Sequence, residues 1–337
     1  MKDRKALQSN KSNQIIGIQY LRAFAILLVL SFHSKLLLPN VGYLGVDIFF
    51  IISGFLMFLL YGQTQSQISA WQFYAKRIRR LLPAFYVSIF ITAFFISINV
   101  EVFEFTEFLK ALPSNFLFIS NFSYWLQEQY FATESFRPLL NSWSLSVEVQ
   151  FYLIFPIINY LLRKSKPARA IVLGIMFASF LTYCILSFIS PQTAFFLMPF
   201  RLWQFGIGIF LADYLSRSRC KVSNRKNFGR ALLFFLFFFL IASDKLATRS
   251  TIIDLFNLCV VSFCTSLYLL ITFARSSHIK ISRIGLLVGN YSYAIYLYHF
   301  PILIILNYIP FHGNLLGAEN LNVFLKNLFA LMYLVVI

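Results

Sequence analysis

The chain has 337 residues, 59% of them hydrophobic and only 12% charged, with a formal net charge of +17. Soluble domains carry about 25% charged residues, so this composition excludes an ordinary soluble domain and predicts a polytopic membrane protein. The 29 Lys and Arg residues fall in clusters between apolar runs, which marks membrane topology rather than a nucleic-acid surface.

Residues 1–14 carry Lys2, Arg4, Lys5 and Lys11 and predict a cytoplasmic tail. The apolar run behind them, Ile15 to Leu38, is too long for a signal peptide and lacks a small-residue cleavage site, which predicts a retained first helix. Within it, Arg22 and His33 are eleven residues apart. At about 100° per residue that spacing returns to within about 20° of the same direction, so both share one stripe about 16 Å apart along the axis. An arginine in a spanning segment costs about 2.5–3.5 kcal/mol on insertion scales, and such residues usually face a cavity and carry function.

Nine more apolar runs follow, at about 42–61, 82–99, 146–162, 170–190, 194–215, 229–246, 251–273, 284–308 and 321–337. They predict an all-α polytopic membrane protein with about ten transmembrane helices around an intramembrane cavity, as one domain over residues 1–337. The last run reaches Ile337 with no polar residue after it, so a longer natural chain is expected. Between the third and fourth runs, Phe116 to Trp125 is apolar but too short to span, which predicts a re-entrant or interfacial segment. With the amino terminus in the cytoplasm, the tail, 76–80, 163–169, 217–230 and 275–283 hold 21 of the 29 Lys and Arg on that side. Glu101, Glu104, Glu107, Glu128 and Glu134 fall opposite, a bias that predicts the orientation.

That orientation puts Arg22 towards the cytoplasmic half and His33 towards the outer half. Ser144, Glu148 and Tyr152 recur every four residues at the start of the fourth span and form one polar stripe. Arg201 begins a similar stripe with Gln204 and Gly208, and Ser292, Tyr296 and His299 share a face before Pro301. A histidine near neutral pH suits general-base work, and a carboxylate beside it would orient it. The alternative for His33 and Glu148, as for Arg201 and His299, is hydrogen bonding between helices. Asp47 has a helix cap as its alternative role, and the glycines around it have close helix packing. The string Lys76-Arg77-Ile78-Arg79-Arg80-Leu81-Leu82-Pro83 reads as a topology anchor or as a partner for the phosphates of a cytoplasmic cofactor. Tyr124, Trp125, Tyr130, Phe131 and Trp143 suit sugar stacking or, more simply, an interfacial aromatic belt. Cys184, Cys220, Cys259 and Cys264 show no C-x-x-C pair, and the four histidines show no H-x-x-x-H spacing, so no metal site is expected.

Five of these strings, in order, resemble the signatures of the acyltransferase-3 family, integral membrane O-acyltransferases of bacteria. They are Arg22-x10-His33, Gly45 to Phe55, Arg77 to Pro83, Trp143 to Tyr152 and Tyr291 to Pro301. The resemblance implies ten helices and transfer of an acyl group, usually acetyl, from cytoplasmic acyl-CoA to a hydroxyl beyond the membrane. It implies His33 as the catalytic residue, a general base or transient acyl carrier, with Glu148 as the motif carboxylate. It places Arg22, Arg77 and Arg80, with Arg79 beside them, towards acetyl-CoA or another acyl-CoA. Asp47, Ser53, Trp143, Tyr152, Arg201 and His299 are the candidates for the acceptor. Val149 stands where a second Glu is frequent, which leaves Glu148 as the working carboxylate. Many members also carry a soluble hydrolase-like domain not found in these residues.

The expected function is acyl transfer to a cell-envelope glycan or glycolipid from the bacterial inner membrane, with the lipid bilayer, acyl-CoA and the acceptor as partners, and neither nucleic acid nor metal. The alternatives are a polytopic transporter of a lipid-linked or small envelope substrate, and a non-catalytic subunit of envelope glycan assembly. Many transporters show internal repeats and paired broken helices, which the sequence does not.

Overall fold

The computed structural model describes residues 2–62, 69–100, 102–127, 136–217, 228–246, 250–273 and 282–308. Their regular structure is helical: α1 (Lys2–Ser34), α2 (Leu44–Met57), α3 (Ala70–Asn99), α4 (Val102–Phe116), α5 (Ser120–Trp125), α6 (Ser142–Lys164), α7 (Lys166–Ile189), α8 (Pro191–Phe196), α9 (Leu202–Arg217), α10 (Phe228–Leu246), α11 (Thr251–Phe273) and α12 (Arg283–Tyr308). A π turn, Phe58–Gly62, continues α2, and a 3-10 turn, Met198–Phe200, precedes α9.

Among the described residues, six segments are long and apolar enough to cross a membrane. They are Ile16–Ser34, Leu44–Gly62, Ala70–Ile98, Ser142–Lys164, Lys166–Ile189 and Thr251–Phe273. The runs at 229–246 and 284–308 are helical as α10 and α12. The run at 194–215 is not one helix. Pro191 opens α8, the Met198–Phe200 turn with Pro199 interrupts the chain, and α9 has only 16 residues. Proline lacks the N–H that would continue a helical ladder, and hydropathy alone does not register that break. The run at 321–337 lies outside the described residues.

The chain divides into two compact units. The first contains α1 to Phe32, α2, α9, α10, α11 and α12 to Ser292. Glycines set its close contacts. A Cβ on Gly54 of α2 would overlap the carbonyl of Phe205 on α9, and one on Gly208 of α9 would overlap that of Ile51 on α2. A Cβ on Gly45 would likewise meet the Ala25 carbonyl of α1. Helices in lipid lack a hydrophobic drive to associate, so small residues that bring backbones together do much of the packing.

The second unit contains His33–Leu36, α3 to α8, Arg201 and α12 from Tyr293. Its apolar core joins Phe85, Ile89 and Ile96 of α3, Phe108 of α4, Phe118, Leu139, Leu145 of α6 and Leu297 of α12. Phe73, Arg77, Leu81, Phe85, Ile89 and Ile96 form the buried stripe of α3, while Val87, Phe90, Phe94 and Ile98 are exposed. The outer face of α7 is similarly apolar at Ile171, Ile175, Phe177, Ile185 and Phe188. Such faces would be a liability in water and are natural against lipid tails.

Candidate functional site

His33 lies in the last turn of α1. The helix stops one residue later, where Lys35 adopts φ 55°. For a residue with a Cβ this left-handed conformation costs roughly 1–2 kcal/mol, so the stop depends on its surroundings. Within the second unit the His33 ring packs edge-on against Phe300, with centroids 4.8 Å apart. Its Nδ1 is 3.1 Å from Nε2 of His299, which is fully buried on α12. The sequence singled out each histidine separately; the structure joins them.

Around this pair the start of α6 meets α12. Asn141 donates its side-chain N–H to the Tyr296 carbonyl at 2.7 Å. The Tyr296 hydroxyl donates to the Asn141 carbonyl at 2.9 Å and lies 2.5 Å from Ser144 Oγ. Tyr296 and His299 rings are 5.5 Å apart. Ser144 thus stands at the histidine end of the predicted polar stripe. One turn on, the half-buried Glu148 accepts a hydrogen bond from Tyr152, and the Arg77 guanidinium of α3 lies 5.5 Å from the centre of the Tyr152 ring.

The basic string therefore divides. Lys76, Arg79 and Arg80 are exposed, whereas Arg77 shares the buried stripe with Phe73 and Leu81 at 8% exposure. The sequence started the third apolar run at about 82, just after this string, but α3 begins at Ala70 and carries the whole string on a helix. Ser69 caps that start by accepting from the Gln72 N–H at 3.2 Å, satisfying a terminal donor.

Arg201 does not begin the helical stripe predicted for it. It precedes α9, and its Nε donates to the Phe195 carbonyl at 3.0 Å. Its guanidinium is surrounded by Phe195, Tyr183 and Trp143 at 5.0, 5.3 and 5.8 Å from their ring centres. Trp143 also packs on Phe195 and Phe196 with centroids 4.4 and 5.3 Å away, so these two candidates form one buried cation–aromatic cluster.

The remaining candidates, Arg22, Asp47 and Ser53, belong to the first unit. Arg22 is half-buried on α1, and α1 is helical through both Arg22 and His33. Asp47, 2% exposed in the first turn of α2, accepts from Gln204 of α9, and Ser53 is half-buried one to two turns further on.

One feature of the second unit had no forewarning in the hydropathy. Asn115, Ser120, Ser142 and Ser146 form a buried chain in which Ser142 donates to Asn115, and Ser120 and Ser146 are 2.7 Å apart. Beside it Gln150 donates to Asn121 at 2.7 Å, and Asn121 donates to the Phe196 carbonyl at 3.2 Å. The apolar stretch expected from Phe116 to Trp125 is thus a turn at Phe118, φ 55°, followed by the short α5, whose polar face is inside. Asn121 and Gln150 are 29 residues apart and share no local spacing; the Asn-Ser string at 141–142 was the available signal.

Comparison with known proteins adds the following. A family model described as an acyltransferase domain matches residues 15–337. The chain is 30% identical over 331 residues to the O-acetyltransferase OatA of Staphylococcus aureus, covering 91% of this chain and 53% of that protein. It is 29% identical over 316 residues to the peptidoglycan O-acetyltransferase OatA of Listeria monocytogenes, covering 85% and 49%. The chain therefore spans about half the length of these curated relatives. No solved structure matches.

Proposed function

The chain belongs to the acyltransferase-3 family, and from that premise we propose that it is a membrane-bound O-acyltransferase. It moves an acyl group, acetyl in the first instance, from cytoplasmic acyl-CoA to a hydroxyl of an envelope glycan or glycolipid on the outer side of the inner membrane. Peptidoglycan, the acceptor in the Listeria relative's name, is the first to test.

The observation that carries this reading is His33. A half-buried imidazole set at the end of an apolar helix, packed on Phe300 and hydrogen-bonded to the fully buried His299, is an expensive arrangement inside a membrane domain unless it works. In the proposed mechanism His33 takes the proton of the acceptor hydroxyl, or carries the acyl group transiently. The negative end of α1's dipole favours the charge that results. Glu148, one turn beyond Ser144 on α6, is proposed as the carboxylate that stabilises that charge.

Arg77, Arg79 and Arg80 suit the donor's phosphates, because a guanidinium offers a planar fork of N–H groups to phosphate oxygens. Three on one turn of α3 offer such groups, with Arg77 inward and the other two outward. In the second unit, Tyr152 and the Trp143–Arg201 cluster are proposed to shape the acceptor's path.

The test compares O-acetyl esters on purified envelope glycans from cells with the intact gene, a deletion, and the deletion complemented by His33→Ala. Loss on deletion, restored by the intact gene and lowered about 10²–10⁴-fold in His33→Ala at equal expression, is the expected result. Equal ester content in all three, across every glycan fraction, would overturn it.

A further inference from the structure

His299 is fully buried, and its own helix determines which of its nitrogens carries hydrogen. Its Nδ1 lies 2.8 Å from the Tyr296 carbonyl oxygen and 3.2 Å from that of Ile295. Carbonyl oxygens only accept, so Nδ1 is the N–H. These acceptors sit beside a proline. Pro301 lies inside α12 and has no N–H for the Leu297 carbonyl four residues earlier. Asn141 answers that gap from outside the helix, its amide 3.4 Å from the Leu297 carbonyl and 2.7 Å from that of Tyr296. The His299 ring is thereby held by the backbone of its own helix in one tautomer.

A neutral imidazole with hydrogen on Nδ1 presents a lone pair at Nε2. That Nε2 faces His33 Nδ1 at 3.1 Å, so the hydrogen between them belongs to His33. We propose that His299 is a positioning residue that fixes His33 with hydrogen on Nδ1, so that its Nε2 is the nitrogen that meets the reacting groups. This rests on the acyl-transfer reading for its consequence, though not for its geometry.

In that reading, Nε2 takes the proton of the acceptor hydroxyl as the oxygen attacks the thioester carbonyl. The new C–O bond forms, the C–S bond breaks, and the departing thiolate receives the proton back from Nε2. While His33 is charged, its Nδ1–H still donates to His299, now as a charge-assisted hydrogen bond of roughly twice the neutral strength. His299 needs no second proton at any point. A histidine in this role does for His33 what a carboxylate does in other base-orienter pairs, without adding a negative charge to a buried site.

The experiment is solid-state nitrogen-15 NMR of the full chain, labelled at histidine and reconstituted in lipid, with the His33 signal assigned by its absence in His33→Ala. The expected wild-type spectrum shows His33 protonated at Nδ1 and bare at Nε2. The reverse tautomer in the wild type would overturn the proposal, whatever the variants do. His299→Gln keeps an acceptor near the former Nε2 position and is expected to preserve both the His33 tautomer and most of the glycan ester. His299→Leu removes it and is expected to move the hydrogen to Nε2 and lower ester content by about 10²-fold or more, as a wrong tautomer does in other histidine bases. A folded His299→Leu protein with the wild-type tautomer would also overturn it. If instead the tautomer is as stated but His33→Ala retains transfer, the functional reading fails and the positioning geometry stands.

Discussion

At the scale of residues, the trio Arg77, Tyr152 and Glu148 lends itself to dissection because one side chain makes two separable interactions. The Tyr152 hydroxyl donates to Glu148, while its ring lies under Arg77. Tyr152→Phe removes the donor and leaves the ring. Hydrogen bonds to charged groups contribute about 1.5–3 kcal/mol, so this change is expected to lower the melting temperature of the purified protein measurably. Tyr152→Leu removes the ring as well, and a cation–aromatic contact adds about 0.5–2 kcal/mol depending on exposure. The expected order of stability is therefore wild type, Phe, Leu. Equal melting of the two variants would show that the Arg77 contact contributes nothing. The same variants scored for glycan ester separate a structural Glu148 from a working one: transfer falling further than stability in Tyr152→Phe indicates that the carboxylate's placement matters to the reaction.

At the scale of elements, the contact between α2 and α9 makes the sharpest demand on sequence. The carbonyl of Phe205 stands where a Gly54 side chain would begin, and backbone cannot move aside as the tip of a side chain can. Gly54→Ala is expected to cost about 1–3 kcal/mol, the range for overpacking, seen as a lowered midpoint when detergent extracts are heated and the surviving monodisperse protein is measured. Gly174 of α7 has nothing within 4 Å of its missing Cβ. Gly174→Ala is the control, expected to be neutral or to stabilise by about 0.5–1 kcal/mol through helix propensity. The same elements show what the chain discloses in one dimension. The Ser144, Glu148, Tyr152 stripe was legible because period four is a property of a single helix. The inward turn of Arg77 was legible too, since Phe73, Leu81 and Phe85 mark its face, although starting the apolar run at about 82 obscured it. The His33–His299 pair spans 266 residues of sequence, and no local period links two helices at that separation. The break ahead of α9 and the polar lining of α5 were hidden for a different reason: hydropathy averages over prolines and buried asparagines that lie among phenylalanines.

At the scale of the whole molecule, the chemistry depends on which side of the membrane each end of a helix occupies. α3 has 30 residues, about 45 Å at 1.5 Å each, longer than the roughly 30 Å hydrocarbon layer. Lys76, Arg79 and Arg80 are exposed near its beginning, and beyond its end α4 carries Glu104 and Glu107, the latter paired with Lys110 at 2.6 Å. Basic residues are retained on the cytoplasmic side, so the two positions should face opposite compartments. In a background whose native cysteines are replaced, Glu107→Cys is expected to react with a membrane-impermeant maleimide in intact spheroplasts. Arg79→Cys is expected to react only after the membrane is opened. The opposite pattern would put the last turn of α1, and His33 with it, on the cytoplasmic side, where an acyl-CoA donor needs no passage and an envelope acceptor cannot reach. The expected pattern makes a stronger demand. On that pattern the arginines proposed to bind donor phosphates would sit at the cytoplasmic end and the proposed base towards the outer one, so the proposed transfer would need an extended donor arm to connect them.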